Sequence, residues 1–151
     1  MSCPPSNSAC LLFPLEPQPS RPRLGPSLQE MVRAERIVDA VCADDARRFP
    51  HAAKALSAVA EHARAVGPCW RDVAAVRGVP NIERALREPA GNTLKLLREG
   101  LVVVEELCAV ANAEGDVGLF SFCGSWLRRR RPLVDTVAAA LGAESPSAHC
   151  H

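Results

Sequence analysis

The stretch TLKLLREGLVVVEELCAVAN, Thr93 to Asn112, decides the fold. Leu94, Leu97, Leu101, Val104 and Cys108 recur at spacings of three and four, the period of one face of an α-helix. Leu96, Val103, Leu107 and Val110 form a second stripe beside the first. An apolar surface this wide has to be covered from two sides, so the segment predicts a helix set among other helices. Glu114-Gly115-Asp116 closes it with turn-forming residues.

The same period extends in both directions. Upstream, Ser27 with Glu30 three residues later has the form of a capping box. Met31, Ile37, Val38, Val41 and Cys42 follow as an apolar stripe, and Asp44, Asp45 and Phe49-Pro50 end it. A second helix is expected from Pro50 through Ala53, Leu56, Val59, Ala60 and Ala63, ending at Gly67-Pro68. A short segment, Trp70 to Val76, then stops at Gly78, and Val79-Pro80 opens another helix carrying Ile82, Ala85 and Leu86. Downstream, a short helix reaches Cys123-Gly124. A last helix begins near Ser125 and runs through Val134, Val137 and Leu141 to Gly142. No segment needs the period of two that marks a strand, so the fold class is all-α. The expected organisation is a Pro-rich arm over 1–26, a helical domain over 27–142 and a loose tail over 143–151.

Composition narrows the function classes. The chain has 151 residues, which suits one domain, and its formal net charge of +1 gives no general attraction to nucleic acid or to acidic membranes. No apolar run approaches the ~18 residues of a membrane span. Aromatics are 4% with no Tyr, so Leu, Val and Ala must fill the core, a palette that favours helices. The seven cysteines include no CxxC pair; Cys42, Cys108 and Cys123 fall within apolar helical patterns and read as reduced, structural thiols of a cytoplasmic or nuclear protein. Within the arm, Pro19-Ser20-Arg21-Pro22 fits PxxP but reads as flexible tail.

Two stretches can be laid side by side. Ala55-Leu56-Ser57-Ala58-Val59-Ala60 precedes a short helix and Gly78-Val79-Pro80; Leu107-Cys108-Ala109-Val110-Ala111 precedes a short helix and Gly124-Ser125-Trp126. The two glycines are separated by an interval within the ~40 to 47 residues of armadillo and HEAT repeats. This order resembles armadillo repeats, in which a glycine turn follows a short first helix and a long third helix ends in an Ala/Leu-rich stretch such as residues 52–60. The resemblance covers about residues 30–141, or two and a half repeats. It implies a short armadillo-like solenoid whose third helices hold a partner protein. The Trp and Asn that import-type members carry on the third helix are replaced here by Lys54 with Ala58 and Glu105 with Ala109, so nuclear-signal binding in that manner is not implied. The alternative architecture is an irregular helical bundle.

Chemistry-bearing motifs are sparse. GxGxxG, GxxxxGK[ST] and HExxH are absent, and His149-Cys150-His151 lacks the second half that a zinc site requires. His51 and His62 read as solvent-facing, Cys69 next to Trp70 has no base fixed near it, and Trp70 and Trp126 read as core anchors. Arg128 to Arg131 would spread around a helix at ~100° per residue, giving a solvated face or contacts to an acidic partner. The function expected is a non-catalytic protein-protein interaction module without cofactor or metal. Its alternative is a structural subunit of a homo-oligomer or larger assembly. The candidate partner-binding residues are His51, Lys54 and Glu61 on the second helix and Arg98, Glu105 and Asn112 on the long one. Arg128 and Arg129 complete the set.

Overall fold

A computed structural model describes residues 21–80 and 92–149, with side chains for 24–80 and 92–142. Four long helices account for nearly all of it. They are α1 (Arg21–Arg48), α2 (Ala53–Val76), α3 (Thr93–Glu114) and α4 (Val117–His149), with a 3-10 turn at Pro50–Ala52 between the first two. Every regular element among the described residues is helical, as the periodicity predicts, and none of these helices is long and apolar enough to cross a membrane.

The ends follow local chemistry. α2 stops at Gly78, which takes φ +72°; Val79 N–H donates to the Ala74 carbonyl and Gly78 N–H to that of Ala75, satisfying carbonyls the helix leaves open. α3 begins at Asn92, whose side chain accepts from the Lys95 amide at 2.7 Å, and ends at Gly115 with φ +73°. Asp116 then caps α4 by accepting from the Leu119 amide at 3.1 Å.

Three expectations are overturned. α1 begins at Arg21, ahead of Ser27, so Ser27 lies within the helix and no capping box starts there; buried Leu24 and Leu28 carry the apolar stripe upstream of Met31. α2 continues through Gly67-Pro68 to Val76. A proline inside a helix costs ~3 kcal/mol, but ending the helix there would release fully buried Trp70 and Ala74 from the core. Gly67 is itself buried against α1, where an added Cβ would lie 3.9 Å from Glu35 Cβ. α4 likewise runs unbroken past Gly124 and Pro132, so Gly124 occupies no bend equivalent to that of Gly78. The helix expected to carry Ile82, Ala85 and Leu86 falls outside the described residues, as do residues 1–20 of the arm expected over 1–26.

α1 packs along α2, and α3 along α4; α1 also meets α3, and α2 meets α4. Two apolar clusters fill the interior. One gathers Leu28, Met31, Trp70, Val104, Leu119 and Trp126; the other gathers Val38, Cys42, Leu56, Val59, Leu97 and Val137. Leu101 of α3 touches both.

Candidate functional site

Between these clusters lies a polar layer. On α1, Glu35 falls between Met31 and Val38, at a position where the helical period demands an apolar side chain, and is 1% exposed. On α4, Arg130 falls between Trp126 and Val134 and is equally buried. Arg130 Nη2 donates to Glu35 Oε1 at 2.9 Å and to Oε2 at 3.2 Å. Glu35 Oε2 also accepts from the indole N–H groups of Trp70, at 3.1 Å, and Trp126, at 2.7 Å. The Arg130 guanidinium lies 4.4 Å from the Trp126 ring centroid, a cation–π contact. The third member comes from α2: Arg130 Nε donates to His62 Nδ1 at 2.9 Å. His62 is thus buried rather than solvent-facing. Burial, followed by the charges of Arg130 and Arg129, lowers its pKa to about 4.

Two members of this layer, His62 and Trp126, line a groove of about 440 Å³ between α2 and α4. Small residues contribute to its lining from both helices, Ala58 and Ala65 on α2 and Ser125 on α4. Phe122, Trp126 and Leu133 supply apolar wall, and exposed Glu61 and Arg129 stand on opposite helices at its rim.

The structure distributes the expected partner-binding residues. Glu61 and Arg129 share the groove. Glu105 on α3 pairs with Arg131 on α4 at 2.6 Å. His51 packs edge-on near Phe49, with ring centroids 6.1 Å apart, and Lys54, Arg98, Asn112 and Arg128 are exposed. α2 and α3 each pack on α1 and α4, so the surface expected between these two helices is divided. Of the four consecutive arginines, Arg130 is core, Arg131 is paired, and Arg128 and Arg129 have no carboxylate partner among the described residues.

Sequence periodicity alone does not single out Glu35, and in it Arg130 is only one member of a charge run. A signal was present: an acid and a base each interrupt an apolar stripe, one on the first helix and one on the last. Among the described residues no cluster of three or more His, Cys, Asp or Glu could hold a metal ion.

No family model, curated protein or solved structure matches the chain.

A second feature lies where α2 ends and α3 turns into α4. Arg77 grips Asp116 with two hydrogen bonds of 2.7 Å, tying the two helix ends together. Beside this clamp Val76 is 81% exposed, Val117 76% and Phe120 44%.

Proposed function

We propose that this chain is a non-catalytic protein-binding domain that docks a partner on the apolar patch of Val76, Val117 and Phe120. The observation that carries the reading is the exposure of three large apolar side chains on the helix ends joined by the Arg77–Asp116 ion pair. Scattered exposed apolar residues are ordinary, but a patch held on converging helix ends suits a partner's side chains. Asn112, exposed near the same end, offers a polar contact at its margin.

For the helix arrangement we favour an irregular bundle over stacked armadillo repeats. Its support is the closed order of contacts, α1 to α2 to α4 to α3 and back to α1, together with the unbroken passage of α4 through Gly124. The resemblance of residues 52–60 and Gly78-Val79-Pro80 to armadillo elements remains the support for the other arrangement.

The test is affinity purification with the full chain and with the double variant Val117→Asp, Phe120→Asp. The expected outcome is a stoichiometric partner retained by the first and lost by the second at unchanged Tm. A partner retained by both would move the docking surface elsewhere. Light scattering that gives a dimer abolished by the same pair would assign the patch to a second copy of the chain.

A further inference from the structure

The groove between α2 and α4 is lined by a largely buried donor that has no protein acceptor among the described residues. A guanidinium nitrogen only donates, so the contact from Arg130 Nε makes His62 Nδ1 an acceptor that carries no proton. The neutral ring then bears its proton on Nε2. His62 is 6% exposed, lines the groove, and has no acceptor at Nε2 among the described residues. Facing the groove, that N–H donates to solvent, and an anionic acceptor of the right shape would take the place of that water.

The remaining lining says what kind of acceptor fits. Arg129 lines the groove without a carboxylate partner among the described residues, and Trp126 and Phe122 add aromatic surface to the lining. The Arg130 charge below is already matched by Glu35. The open requirement is thus one negative group, reaching both His62 Nε2–H and Arg129, attached to an apolar body. Glu61 on the opposite wall disfavours a second anionic group. The volume of about 440 Å³ falls within the range of small-molecule sites.

We propose that this groove binds a small organic monocarboxylate with an aryl or branched apolar body, its carboxylate accepting from His62 and pairing with Arg129. This site is separate from the Val76, Val117 and Phe120 patch, and neither depends on the other.

The probe is 4-phenylbutyrate, titrated calorimetrically into the full chain beside its uncharged amide, 4-phenylbutyramide. The acid is expected to bind at least about tenfold more tightly than the amide, because only the acid supplies the charge that Arg129 lacks. Arg129→Glu, a change on an exposed side chain, is expected to weaken the acid by at least about tenfold with Tm unchanged. Ala58→Trp fills the groove from α2 and is expected to abolish binding. The Trp126 indole N–H and the His62 ring resonances are expected to shift as the acid is added. Equal affinity for acid and amide, binding that survives Ala58→Trp, or no binding at millimolar acid would each overturn the proposal. A Gly-Gly-Phe peptide with a free carboxylate that binds more tightly than the acid would also overturn it, assigning the groove to the end of a protein chain.

Discussion

Glu35 accepts hydrogen bonds from three side chains on two other helices while itself fully enclosed. Enclosing a carboxylate without partners would carry a large desolvation cost; here Arg130 and the two indoles replace the water it loses. Removing one member therefore does more harm than the pair contributes. Arg130→Leu is expected to destabilise by about 3–5 kcal/mol, and adding Glu35→Leu should recover part of the loss. Urea denaturation of both single variants and the double variant measures the coupling. His62 adds a pH dependence with a definite sign. Its folded pKa of about 4 lies below the ordinary 6.5, so between these values the unfolded chain binds a proton that the folded chain refuses. Its contribution is present above pH 6.5 and is lost as the pH falls towards 4, by up to roughly 3 kcal/mol. His62→Gln, which keeps an acceptor for Arg130, should flatten the stability profile across that window; an unchanged profile would refute the assignment.

Helix ends and helix interiors make opposite demands on glycine, and this chain contains both cases. Gly115 at φ +73° closes α3, whereas Gly100 lies within the same helix, where an added Cβ would meet nothing within 4 Å. Gly115→Ala is expected to destabilise by about 1 kcal/mol or more, because an L side chain is strained at that backbone conformation. Gly100→Ala should stabilise by about 0.5–1 kcal/mol by reducing the freedom of the unfolded chain. Thermal melts of the two variants should move in opposite directions. Gly78 and Gly115, the positive-φ glycines among the described residues, are legible in the sequence, since each follows a run of helical period and precedes its interruption. Gly67 and Gly124 look the same locally, yet the helices pass through them. What differs is the burial of the next turn: Trp70 after Gly67, and Trp126 and Leu127 after Gly124.

Across the whole molecule the two apolar clusters and the polar layer between them should open together. The cysteines report this. Burial pushes the thiols of Cys42, in one cluster, and Cys123, in the other, up to about 12, which leaves almost no reactive thiolate at neutral pH. Cys69 lies exposed on α2. Alkylation at pH 7.5 followed by peptide mapping is expected to label Cys69 promptly, and Cys42 and Cys123 at one shared, slow rate set by global unfolding. Two different slow rates would mean that the clusters open independently.

Taken alone, the order of residues determined that this chain is helical, that it has apolar stripes to bury, and that it turns at Gly78 and Gly115. Those properties arise from contacts within a few positions, where period and turn chemistry act directly. Only the tertiary structure decided which charged residues are interior and which helices continue past a proline or glycine. Glu35 and Arg130 stand 95 positions apart, and nothing local to either marks the other as its partner. Their burial became affordable only when the packing of α2 on both α1 and α4 brought two indoles and a guanidinium to one carboxylate, and an imidazole to that guanidinium.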